Sequence, residues 1–158
     1  MPLKKSISCD ARKMNTHRSV QNRLKPTNWR IEQLPGISSE DQARLIECGI
    51  TTTLQLLQQC HNQEQKHALS EKLQVHIHHV SKWVALADLS RIPSVGCQYC
   101  GLLLHAGIAS AAQLAQMHIH KVHQQILRLQ VATMQRRDLC PSRAEMVQWI
   151  QQARLLST

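Results

Sequence analysis

Apolar residues in this chain recur three and four positions apart rather than in alternation. Met146, Trp149, Ile150, Ala153 and Leu156 fall on one helical face, and Ile77, Val80, Trp83, Val84 and Ala87 form a similar face earlier in the chain. Runs of β-branched residues and strand-like alternation are few. The spacing therefore predicts an all-α protein.

The pattern occurs twice. Leu34-Pro35-Gly36-Ile37, through Gly49-Ile50 to Gln55-Leu56, lines up with Ile92-Pro93-Ser94-Val95, through Gly107-Ile108 to Gln113-Leu114, about sixty residues later. A fixed internal period marks a repeated supersecondary unit. Each copy reads as a helix–hairpin–helix unit. Ser38 or Ser39 caps a helix that stops at Gly49, and Gly96 opens an equivalent helix that stops at Gly107. Glycine suits the position past a helix end because it enters the left-handed region without steric cost. Thr52-x-x-Gln55 and Ser110-x-x-Gln113 are matching capping boxes, and Ser142-x-x-Glu145 starts the terminal helix in the same way. Leu45, Ile46, Leu54 and Leu57, like Leu103, Leu104, Leu114 and Met117, are expected to supply the shared apolar interior. The match continues through Lys72-Leu73-Gln74-Val75 and Arg128-Leu129-Gln130-Val131, then through Trp83-Val84-Ala85 and Trp149-Ile150-Gln151. The offset widens from 56 to 66 between these two matches, which places about ten extra residues around Arg136-Arg137-Asp138-Leu139-Cys140-Pro141.

Charge divides the chain differently from hydrophobicity. Residues 1–30 hold eight basic residues against Asp10 alone, supplying +7 of the net +9. Residues 31–88 are net −3 and residues 89–158 net +5. The first segment has no hydrophobic periodicity and reads as a flexible basic N-terminal arm. Its Arg-rich, acid-poor composition is also compatible with an organellar transit peptide, but no convincing amphipathic helix accompanies it. The expected organisation is an arm over residues 1–28, a first repeat over 29–90 and a second over 91–158, with 29–158 forming one compact domain. No stretch approaches the roughly 20 apolar residues of a membrane span, and no secretory signal is apparent. The expectation is a soluble, cytoplasmic protein without a membrane partner. Its six irregularly spaced cysteines are then expected to be reduced thiols.

The run Trp83-Val84-Ala85-Leu86-Ala87-Asp88-Leu89-Ser90-Arg91-Ile92-Pro93-Ser94-Val95-Gly96, followed by Leu102-Leu103, Ala106-Gly107-Ile108 and Trp149-Ile150-Gln151-Gln152-Ala153, resembles a domain-of-unknown-function family of tandem helix–hairpin–helix proteins from photosynthetic prokaryotes. The resemblance covers residues 31–156. It implies the fold, and it implies no particular activity.

A DNA-binding hairpin of this class is typically apolar-Pro-Gly-apolar-Gly. Its tight turn offers successive backbone N–H groups to a phosphate at a helix start. Both copies depart from that pattern: Ser38 replaces the second glycine of the first hairpin, and Ser94 the first glycine of the second. Glu40 and Asp41 follow the first hairpin, whereas Cys97, Gln98 and Tyr99 are neutral. The second hairpin is thus the expected nucleic-acid contact, through Arg91, Ser94, Val95, Gly96, Cys97 and Gln98, with Lys4, Lys5, Arg12 and Lys13 of the arm adding charge. Both hairpins serving only to turn and pack the chain is the plainer alternative.

Other chemistry has weaker support. Cys97 and Cys100 form a lone C-x-x-C pair, short of the four ligands of a structural zinc site. His76, His78 and His79 lie about forty residues from His118, His120 and His123, and solvated imidazoles are the expected reading. No nucleophile–base pair, paired carboxylates or phosphate-binding glycine-rich loop is evident. The sequence predicts a non-enzymatic, sequence-tolerant module without cofactor or metal that binds the backbone of duplex DNA. The alternative is a protein–protein adaptor with purely structural hairpins, identifiable by an exposed apolar patch on the helix carrying Trp149.

Overall fold

The computed structural model describes residues 24–133 and 140–157. Lys4, Lys5, Arg12 and Lys13 of the arm, and Arg136-Arg137-Asp138-Leu139 of the insertion, lie outside the described residues. Among the described residues, a short 3-10 turn at Ile31–Gln33 is followed by eight α-helices: α1 (Ser39–Glu47), α2 (Thr53–Gln59), α3 (Gln63–Leu73), α4 (Ile77–Ser90), α5 (Gly96–His105), α6 (Ala111–Gln116), α7 (Ile119–Thr133) and α8 (Arg143–Ser157). Among the described residues the one β feature is an isolated bridge between Arg30 and Thr52. No helix there is long and apolar enough to cross a membrane.

Helix boundaries follow local hydrogen bonding. Ser38 Oγ accepts from the Asp41 amide, and Thr52 and Gln55 form a complete capping box. Ser110 caps the Gln113 amide, but the Gln113 side chain reaches one residue further back, accepting from the Ala109 N–H at 3.0 Å. At the start of α8, Ser142 N–H donates to Glu145 Oε2, and Glu145 N–H donates to Ser142 Oγ. Two helix ends share one closing pattern. Gly49 and Ile50 N–H groups donate to the Ile46 and Leu45 carbonyls; those of Gly107 and Ile108 donate to Leu104 and Leu103. This double bond satisfies carbonyls that a helix end would otherwise leave unpaired.

Helices α2 and α3 pack on α4, α6 and α7 pack on α8, and α4 packs on α5 to join the two halves. One apolar cluster runs from Ile31 to Ala153, with Trp83 and Trp149 fully enclosed. Leu45, Leu103 and Leu114 are buried as the spacing predicts. Ile46 and Leu54, expected inside, are 39% and 44% exposed. The register explains both. The bond from Ile50 to Leu45 folds Ile50 onto Leu45, and Leu56, not Leu54, occupies the place that Leu114 takes in the second half.

Candidate nucleic-acid interface

The turn over residues 92–96, the second of the two expected hairpins, is closed. Val95 and Gly96 N–H groups both donate to the Ile92 carbonyl, at 3.0 and 2.9 Å. Ser94 donates to Gln152 Oε1 through its N–H at 2.8 Å and its hydroxyl at 2.6 Å. Trp149 Nε1 donates to the Ser94 carbonyl, so α8 clamps this turn from below. Trp29 closes another side: a Cβ on Gly96 would lie 3.0 Å from its ring. Among the expected contact residues, the amides of Ser94, Val95 and Gly96 are therefore engaged within the chain. Those of Cys97 and Gln98 have no acceptor among the described residues.

Trp29 is held there by a strap. Its Nε1 donates to the Ser90 carbonyl at 2.8 Å, and Thr27 N–H donates to the Arg91 carbonyl at 2.8 Å. On the other side, Trp29 N–H donates to Thr53 Oγ1, and Asn28 Oδ1 accepts from Leu54 N–H. Thr27 and Asn28, which sequence placed in the arm, thus link the first half to the second hairpin.

The first hairpin is more open. Asp41 N–H donates to Ser38 Oγ and Gln42 N–H to the Ser38 carbonyl, and Pro35-Gly36 is a turn that brings Ile37 N–H to the Leu34 carbonyl, but the N–H groups of Gly36, Ser38, Ser39 and Glu40 find no acceptor among the described residues. A Cβ on Gly36 would lie 3.2 Å from Lys82 Nζ and 3.9 Å from Leu86. Leu86 corresponds by position to Gln152. Where the second half sets a polar clamp under Ser94, the first sets an apolar one under Gly36.

Backbone geometry explains why each hairpin keeps a different glycine. The left-handed residue of the first is Gly36 at φ +77°, and of the second Gly96 at φ +52°. Ser38 sits at φ −66°, and Ser94 is not among the positive-φ residues. Each hairpin retains glycine where the chain turns left-handed and carries serine where it does not.

The charged residues at the two turns are paired within the chain, Arg91 with Asp88 as their spacing suggests. Arg91 Nε lies 2.8 Å from Asp88 Oδ1, an ion pair whose N–H is not aligned for a hydrogen bond. Asp88 Oδ2 accepts from Ala111 N–H at the start of α6. Glu40 and Asp41, expected to repel a phosphate, lie 2.6 and 3.9 Å from Arg44, and Ser38 Oγ donates to Asp41. Lys82 forms no ion pair among the described residues.

Burial pushes the Cys97 thiol up to about 11 and Cys100, with Cys97 adjacent, up to about 12, so both are protonated at neutral pH. The His76 and His78 rings stack 4.6 Å apart, and His120 Nε2 lies 3.4 Å from Arg143. Among the described residues no group of three or more His, Cys, Asp or Glu side chains is placed to hold a metal ion.

Sequence reasoning passed over Lys82, Trp29 and Gln152. Only Trp29 gave a signal: of three tryptophans, two pair across the repeat and it has no counterpart. No curated protein and no solved structure matches the chain. A family profile matches residues 35–156, and the chain belongs to that family, the domain of unknown function DUF4332.

Proposed function

We propose that this protein is a non-enzymatic module of two helix–hairpin–helix units that binds the backbone of duplex DNA with little regard for sequence. The first hairpin supplies the main contact and the basic arm supplies further charge. The carrying observation is Lys82. Its ammonium lies against Gly36 with no carboxylate partner among the described residues, at a turn where the Gly36, Ser38, Ser39 and Glu40 amides have no acceptor among them either. A lysine and several N–H donors converging on one turn suit a phosphate oxygen, which carries charge but no sequence information. The second hairpin is left with Cys97 and Gln98 amides and a supporting role, since Gln152 and Trp29 occupy its other faces.

The protein-adaptor reading has less support. On the helix carrying Trp149, the face formed by Met146, Trp149, Ile150 and Ala153 is buried within the chain. Fluorescence anisotropy on a labelled duplex at two ionic strengths tests the proposal. Affinity is expected to fall steeply with salt, because each neutralised phosphate releases counterion and contributes about −0.9 to the log–log slope. Lys82→Glu should weaken binding at low salt. Absence of binding by the full chain at low salt would defeat the proposal.

A further inference from the structure

A groove of about 520 Å³ lies between the two halves. Its volume falls within the roughly 300–1,000 Å³ typical of small-molecule sites. The first half contributes Lys66 and His61, the second Arg91 and Ser110, and α4 lies between them with Ser81, Val84 and Ala85. The walls therefore mix a hydrocarbon surface with positive charge.

The charges do not cancel. Lys66 is half-buried and makes no ion pair among the described residues. Asp88 is the carboxylate of the groove, and both of its oxygens are engaged, by Arg91 Nε at 2.8 Å and by Ala111 N–H at 2.8 Å. The terminal guanidinium nitrogens of Arg91 have no partner among the described residues. The Ser81 hydroxyl, which lines the groove, has no hydrogen-bond partner among the described residues. The Lys66 charge also reaches the groove-lining Cys60 thiol, which burial raises and Lys66 pulls down. A partly desolvated cation without a counterion, beside an apolar wall, calls for an anion carried on an apolar body.

We infer that this groove binds a small organic anion, a carboxylate or phosphate borne on a short hydrocarbon or ring, with Lys66 as its principal charge partner and Arg91 and Ser81 beside it. The inference does not depend on the nucleic-acid reading, because Lys66 belongs to neither hairpin.

Calorimetric titration of the full chain with phenyl phosphate, phenylacetate, inorganic phosphate and neutral benzyl alcohol tests it. Saturable binding of phenyl phosphate or phenylacetate is expected, with the tighter of the two identifying the head group. Lys66→Gln should weaken it by about tenfold or more, the usual weight of a charge-assisted hydrogen bond. Its thermal unfolding should match the parent, and its affinity for duplex DNA should be unchanged. Failure of both organic anions to bind, undiminished binding by Lys66→Gln, or inorganic phosphate binding as tightly as phenyl phosphate would each overturn the inference.

Discussion

At the scale of single residues, the two hairpins differ through a few side chains that local pattern cannot rank. Gln152 is an example. On sequence it is one of two adjacent glutamines on a terminal helix, yet its Oε1 takes both donors of Ser94. Gln152→Ala leaves that half-buried N–H unpaired and should cost about 1–3 kcal/mol in chemical denaturation, whereas Gln152→Glu keeps acceptor oxygens and should cost less. Trp83 and Trp149, by contrast, were legible from their matched places on two amphipathic faces. Truncating either to Ala should cost about 3–5 kcal/mol. Cys97 and Cys100 make a prediction of opposite kind. Their thiols ionise near 9 when unfolded but only near 11 and 12 in the fold. The partly buried Cys97 and buried Cys100 thiols therefore contribute stability that is fully present below pH 9 and lost as pH rises through that window. Alkylation of the native protein should be slow at pH 8, and rapid labelling of both cysteines there would contradict the burial.

At the scale of elements, helix starts were the most legible part of the chain. Ser38, Thr52, Ser110 and Ser142 all cap the helices expected of them, because a side-chain cap is a contact over three residues and needs no tertiary context. Which face points inward was less legible. Ile46 and Leu54 are apolar and correctly spaced, but Ile50 and Leu56 fill the interior instead. The strap was illegible for a different reason: Trp29 meets Ser90 across 61 residues, and no local signal encodes such a contact. The hairpin glycines can be tested directly. Gly36→Ala and Gly96→Ala each force a Cβ into positive-φ backbone, and at Gly96 also against Trp29. Each should lose about 1 kcal/mol or more of unfolding free energy, with Gly96→Ala the larger loss. Equal stability to the parent would mean that the turns relax.

At the scale of the whole molecule, charge and geometry give different preferences for the contact hairpin. The sequence favoured the second because Glu40 and Asp41 follow the first. In the fold Glu40 pairs with Arg44, Asp41 accepts from Ser38 of the hairpin itself, and Lys82 comes from another helix to Gly36, a juxtaposition that only tertiary packing creates. The arm is the part of the candidate site legible from composition alone. Residues 1–23 carry six basic side chains against Asp10, leaving thirteen basic and nine acidic residues in 24–158. Deleting residues 1–23 retains Thr27, Asn28 and Trp29, so the thermal midpoint should hold while affinity for duplex DNA and its salt slope both fall. Backbone contact at the first hairpin can be read by amide chemical-shift mapping on a short duplex. The amides of Gly36, Ser38, Ser39 and Glu40 are expected to shift on titration while those of Val95 and Gly96 stay in place. Shifts centred on Val95 and Gly96, with residues 36–40 unmoved, would contradict that contact.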